Sequence, residues 1–284
     1  MSSEVITEIE QLGLTITIGG MAVRVHTSDA RFVKMLEDRY AGFVGPADEE
    51  PEIEFDVELA TPQDADPDAD VSVKCEGRRW ILQRGDFRAE WEPARRRGWI
   101  RQTANPYSID AVLRIVHTLV LARQGGFLLH AASAIRNGKA FLFAGVSEAG
   151  KTTISRLAPR DVTLLTDEIS YVRYSHLCRK ERGKDGPPGY VAYGTPFTGE
   201  LAKLGENVWA PVETLYLLAK GKENRVERIE PGAAARGVLE NLLFFAQDEE
   251  LVQAVFHSVF EFVSRVPVAR LTFVPDQRVW ELIG

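Results

Sequence analysis

The chain has 284 residues, enough for one large or two ordinary domains, and its 45% hydrophobic and 26% charged content suits a water-soluble globular protein. Its net charge of −7, from 34 basic and 41 acidic residues, argues against nucleic acid or an anionic membrane as the main partner. No apolar run approaches the ~20 residues of a membrane span, and Met1-Ser-Ser-Glu-Val5 lacks the basic and apolar parts of a signal peptide. Cys75 and Cys178 stand far apart without a Cys/His cluster, which argues against a disulfide framework or zinc site and for a cytoplasmic protein.

In the N-terminal third, Leu14–Ile18 and Ala22–His26 flank Gly19-Gly20, the signature of a β-hairpin. Apolar residues at Phe32, Val33, Leu36 and Tyr40 predict a short amphipathic helix over Asp29–Tyr40. Glu52–Leu59 alternates strictly between acidic and apolar residues, as a strand with one wet face does. Thr61–Asp70 reads as a solvated acidic loop, followed by three short strands at Val71–Lys74, Trp80–Gln83 and Phe87–Trp91. Arg95-Arg-Arg97 reads as a turn. These elements make a small β-rich domain over residues 1–106 in which no chemistry is visible.

A helix is predicted over Ser108–Gln124, with Ile109, Val112, Leu113, Val116, Leu119 and Val120 on one face and Gly125-Gly126 ending it. Phe127–Ile135 and Ala140–Ala144 read as strands. The Asn137-Gly138 pair between them predicts a tight hairpin, hence an antiparallel pair. That pair excludes a purely parallel sheet at this point.

The most informative segment follows directly: Gly145-Val146-Ser147-Glu148-Ala149-Gly150-Lys151-Thr152-Thr153. Two glycines separated by four residues, then Lys and a hydroxyl residue, behind an apolar strand, fit the pattern of a phosphate-binding loop. The glycines let backbone amides wrap an anion without Cβ clashes. In this pattern Lys151 reaches the β- and γ-phosphates and Thr152 offers its hydroxyl to magnesium. Val162–Thr166 is a further strand that ends in Asp167-Glu168, only 16 residues after Lys151. A magnesium-triphosphate site needs such carboxylates, one for the metal and one for the nucleophile. Adjacent strand residues face opposite ways, so a shared role requires the strand to stop there; otherwise Glu168 is a surface residue at its tip.

His130, the hairpin, the loop and the early acidic pair together resemble the kinase domain of the HPr kinase/phosphorylase family, whose P-loop fold is shared with phosphoenolpyruvate carboxykinase. The resemblance covers about Gly126 to Val172 and is carried by His130, Gly145, Ser147, Gly150, Lys151, Thr152, Asp167 and Glu168. It implies that Asp167 takes the proton of a substrate hydroxyl, that Glu168 and Thr152 hold Mg2+, and that His130 lies close to the phosphates of ATP. Two departures stand out. Glu148 occupies a position where that family has glycine, and the acidic pair is Asp-Glu rather than Asp-Asp. The N-terminal third does not match the amino-terminal domain of the bifunctional enzymes. The chain therefore looks more like the stand-alone HPr-kinase-like proteins, some of which act in peptide-tailoring gene clusters.

Further on, Arg179–Gly189 reads as a charged loop, and Gly194–Glu200 as a compact one that either borders the site or merely connects, with Lys203 nearby. Val212–Leu218 is a strand, Pro231 opens a helix running through Leu239, Leu242 and Phe245, and Arg236 on it either faces the site or solvent. A helix over Glu249–Val263 and a strand over Val268–Phe273 close the chain. The sum is an α/β fold: an HPr-kinase/phosphoenolpyruvate-carboxykinase-like P-loop core over residues 107–284, a mixed sheet with flanking helices, preceded by the small domain. The expected function is ATP- and Mg2+-dependent phosphoryl transfer to a hydroxyl, a serine of a protein or peptide partner, with homo-oligomerisation left open. The alternatives are a nucleotide-binding recognition protein with a weakened catalytic loop, or a kinase of a small-molecule hydroxyl.

Overall fold

The structure, a computed structural model, describes residues 11–61, 66, 68–175, 189–199, 201 and 204–284. Two compact units are present, Met1–Val112 and Leu113–Gly284. Most of the charged loop expected over Arg179–Gly189, parts of Thr61–Asp70, and Met1–Val5, Cys178, Glu200 and Lys203 lie outside the described residues. Among the described residues no helix is long and apolar enough to cross a membrane.

The first unit begins with the expected hairpin, β1 (Leu12–Ile18) antiparallel to β2 (Met21–Thr27). Helix α1 (Ala30–Arg39) is capped by Asp29, whose side chain accepts from the Phe32 amide at 2.9 Å, and it buries Phe32 and Leu36. β3 (Ile53–Leu59), β4 (Ser72–Glu76), β5 (Arg79–Arg84), β6 (Phe87–Glu92) and β7 (Arg97–Gln102) complete a seven-stranded sheet ordered β1-β2-β3-β7-β6-β5-β4. Its β2–β3 and β3–β7 pairs are parallel and the rest antiparallel.

β7 limits the reading of Arg95–Arg97 as a turn to its first two residues. The turn is there, with Arg96 in the left-handed region at φ 57°, but Arg97 already starts a strand in the middle of the sheet. Its inward positions are Gly98, Ile100 and Gln102, so the period of two is hidden by one residue without a side chain and one polar residue. Gly98 is small because a Cβ there would come within 2.3 Å of the Glu90 carbonyl and 2.6 Å of the Phe55 ring. Gln102 is buried and spends its amide on the carbonyls of Thr103 and Asn105.

The division between the units falls within α2 (Pro106–Arg123). This helix was expected to bury one face. Instead Ile115, His117, Thr118 and Leu121 are buried as well, and a helix apolar nearly all round is one enclosed by protein. Beyond it lie β8 (Gly126–Arg136), β9 (Lys139–Ala144), α3 (Lys151–Arg156), β10 (Thr163–Thr166), β11 (Ile169–Ser175), β12 (Gly189–Tyr193) and β13 (Trp209–Lys220). The chain closes with β14 (Arg225–Arg228), α4 (Pro231–Leu239), β15 (Leu242–Leu243), α5 (Glu249–Arg265), β16 (Val268–Phe273) and a 3-10 turn over Gln277–Leu282. The helix expected to continue from Pro231 through Phe245 in fact stops at Leu239, because Leu242 and Leu243 pair with β8.

The second unit is a mixed, strand-rich α/β structure. β8 and β9 are antiparallel across Asn137-Gly138, both at positive φ, while β9, β13 and β16 run parallel. β9 shows how its core is divided. Ala140, Leu142 and Ala144 point to a cluster with Val238, Val259 and Phe262 of α4 and α5. Phe141 and Phe143 point the other way, to Ile154 of α3 and to Val279, Trp280 and Ile283. The Trp280 indole N–H donates to the Ile154 carbonyl at 3.1 Å, tying the end of the chain to α3.

His117 lies wholly inside this unit with its ring edge-on to Tyr171 and neither ring nitrogen hydrogen-bonded. Burial lowers its pKa to about 3, so the folded protein keeps it neutral while the unfolded chain takes up a proton below about 6.5. Stability is therefore lost as pH falls from 6.5 toward 3, by about 1.4 kcal/mol per pH unit. Urea unfolding between pH 7 and 5 should show this slope, and His117→Leu should remove about one proton's worth of it; equal slopes would contradict the assignment.

Candidate functional site

Parallel strands of an α/β sheet present their ligands at the carboxyl ends. Here those of β9, β13 and β16 converge on one cavity of about 740 Å3. The Gly145–Thr153 loop leaves β9, Lys220 and Gly221 end β13, and Phe273 and Pro275 come from the end of β16. Opposite them stand His130 of β8, the Asp167-Glu168 pair and Gly199. Three segments singled out in the sequence thus meet in one place, joined by Gly199 from the compact Gly194–Glu200 loop.

The loop is shaped by contacts that forbid side chains. A Cβ on Gly145 would lie 2.7 Å from that of Ala149, and one on Gly150, at φ 111°, would lie 2.6 Å from the Phe273 ring. Ser147 through Thr153 line the cavity. Gly145 and Val146 do not; Val146 is 69% exposed and these two residues act through their carbonyls. Lys151 is buried, and its Nζ donates to the carbonyls of Gly145 at 2.7 Å and Val146 at 3.3 Å, so it is folded along its own loop. Glu148 is exposed and left-handed at φ 63°, a conformation glycine adopts without the roughly 1–2 kcal/mol that a side chain costs.

The acidic pair sits just beyond the end of β10 at Thr166, as a shared role requires. Asp167 is buried, and its two oxygens accept from the Gly199 amide at 2.9 Å and the Leu201 amide at 3.0 Å. Its carboxylate is therefore fixed in direction while each oxygen keeps a lone pair. Glu168 is partly exposed and faces Arg114 of α2 at 3.8 Å. His130 is half-buried; burial first, and then the charges of Lys151 and Arg114, push its pKa below the ordinary value. A neutral imidazole follows at neutral pH.

Several residues here carry no sequence signal of their role. Asn241 is the clearest. Its Oδ1 accepts from the Gly145 amide at 3.1 Å, its Nδ2 donates to the Gly237 carbonyl at 2.8 Å, and its own carbonyl accepts from His130 N at 2.7 Å. It fastens the start of the loop to β8 and to the end of α4. Arg114, Lys220 and Phe273 are likewise visible only in three dimensions, while Arg236 is exposed and stands off the cavity.

Asn241→Leu leaves the Gly145 amide and the Gly237 carbonyl buried without this partner, at a cost of about 1–3 kcal/mol. Urea titration should show that loss with an unchanged m-value. A variant as stable as the parent would mean that Asn241 does not hold the loop.

No curated protein matches the chain. The family model described as SynChlorMet cassette protein ScmC covers residues 101–284, which takes in all of α2 and the whole second unit. That match extends over well more than half of the sequence, and the chain belongs to the SynChlorMet cassette protein ScmC family.

Proposed function

We propose that the chain is an ATP-dependent phosphotransferase with an HPr-kinase/phosphoenolpyruvate-carboxykinase-like core, acting on a hydroxyl, a serine of a protein or peptide. One observation carries this reading: His130, the Ser147–Thr153 segment and Asp167-Glu168, far apart in the sequence, line one cavity at the carboxyl ends of parallel strands.

The chemistry follows from the residues. The loop amides and the Lys151 ammonium would meet the triphosphate, with Lys151 exchanging its two carbonyl partners for phosphate oxygens. Thr152 and Glu168 offer a hydroxyl and a carboxylate, hard oxygen donors that suit magnesium. Magnesium bound there would neutralise charge on the phosphates. Asp167, fixed by the Gly199 and Leu201 amides, accepts the proton of the acceptor hydroxyl as its oxygen bonds to the γ-phosphorus and the bond to ADP breaks. Neutral His130 can accept or donate a hydrogen bond to the phosphates without adding charge.

Two substitutions test this. With magnesium present, Lys151→Ala should abolish or greatly weaken ATP binding in calorimetry while leaving the fold intact; equal affinity would sink the triphosphate reading. Asp167→Asn removes the base and, since its amide nitrogen cannot accept, one of the two bonds from Gly199 and Leu201, so ATP should still bind while phosphoryl transfer falls by about 100-fold or more. ATP binding by the parent without transfer to any protein, peptide or small hydroxyl acceptor would turn the reading to a nucleotide-dependent recognition protein.

Glu148 offers a third test. A carboxylate at 4 Å from a phosphate charge costs about 1 kcal/mol in water, and its exposure lets it turn away. Glu148→Gly should leave ATP affinity unchanged or raise it modestly, with relief of left-handed strain roughly offset by glycine's freedom in the unfolded chain. A tenfold loss, about 1.4 kcal/mol, would mean that Glu148 itself binds nucleotide or metal.

A further inference from the structure

Behind the acidic pair, one side chain connects the two parts of the site that must stay in register. Arg114 lies in the apolar part of α2 and reaches Glu168, Nη2 to Oε2 at 3.8 Å, with both side chains about a quarter exposed. Its guanidinium carbon stands 5.0 Å from the ring centre of Phe197. Phe197 is fully buried, and its carbonyl accepts from the Thr166 hydroxyl at 3.4 Å. Two residues further on, the Gly199 amide binds Asp167, and the Leu201 amide binds it from the other side. The Arg114 Nε is buried without a hydrogen bond. With so long a contact to its carboxylate and a partly buried charge, Arg114 gains little stability from the ion pair itself.

We propose that Arg114 is a positioning residue that locks the Asp167-Glu168 pair to the Gly194–Gly199 segment, facing Glu168 with its charge and standing over the Phe197 ring. The planar guanidinium matters. It can stack on an aromatic ring and meet a carboxylate at once, whereas a lysine ammonium supplies the charge as a point without the flat surface. Loss of the stack frees Phe197, and with it the amides that fix Asp167. Loss of the charge removes the guanidinium that faces Glu168 at 3.8 Å. In phosphotransfer, the proposed activity on which this role rests, Arg114 touches no reacting atom and acts through those two residues.

Amide hydrogen exchange reads this without any assay of activity. In Arg114→Met, exchange at Gly199 and Leu201 should speed up tenfold or more while global stability and exchange in β9 and β13 stay the same. Asp167→Ala, which removes the acceptor, sets the scale for complete loss of those two bonds. Arg114→Lys restores charge but not the stack, so exchange at both amides should remain fast; it also serves should the methionine variant unfold. In turnover, Arg114→Met should lower kcat about tenfold with the KM for ATP within twofold, and Arg114→Lys should recover only part of that kcat. Protection of Gly199 and Leu201 unchanged in both variants would overturn the proposal. A parent protein without phosphotransfer would remove the kinetic arm and the proposed activity, while the exchange result would still decide whether Arg114 holds the acidic pair.

Discussion

The second unit depends on how one strand divides its hydrogen bonds. β8 is long enough to serve two neighbourhoods: Gly126–His130 pair with β11, and Ala131–Arg136 pair with β9. β15 and β10 extend the two halves. His130 stands at the changeover, opposite Ile169, immediately after the acidic pair. Because β9 carries the Gly145–Thr153 loop, the same changeover brings His130, the loop and Asp167-Glu168 to one cavity. Backbone hydrogen bonds must be satisfied inside a sheet, so the register leaves these residues little freedom to separate.

Around that frame the loop is held from three directions. Asn241 takes the Gly145 amide, Lys151 takes the loop carbonyls, and Phe273 closes against Gly150. The acidic pair is held just as deliberately, by two amides on Asp167 and by Arg114 beside Glu168. Pre-arranged groups of this kind lower the reorganisation needed when charge is transferred. Glu148 is the exception, a side chain in a left-handed position that glycine fills more cheaply. It shares its exposure with Val146 and Ser147, and with Ser147 it lines the cavity.

Much of this was legible in the sequence where local chemistry decides structure. Asn137-Gly138 specifies a hairpin, Gly125 at φ 72° ends α2, and the spacing from Gly145 to Thr152 specifies a sharp turn into a helix. The alternating face of β3 is equally plain. What stayed hidden is whatever tertiary packing decides. β7 is masked by Gly98 and Gln102, and β11 is buried on both sides over Ile169–Val172, so neither shows a clear period. β14, Arg-Val-Glu-Arg, reads as polar surface until it pairs with β16. Arg114 and Glu168 meet across more than fifty residues, and nothing near either names the other. The end of α4 is hidden because Leu242 continues the helical spacing, yet it pairs with β8 instead.

The most direct test of the central claim is a crystal structure with magnesium and a non-hydrolysable ATP analogue. The account predicts the triphosphate within the Ser147–Thr153 loop and the Lys151 Nζ moved from the Gly145 and Val146 carbonyls onto phosphate oxygens. It also predicts the metal between Thr152 and Glu168, and Asp167 still held by the amides of Gly199 and Leu201. An analogue bound elsewhere, or an ordered loop that excludes it with Lys151 unmoved, would contradict the assignment of this cavity to a nucleotide.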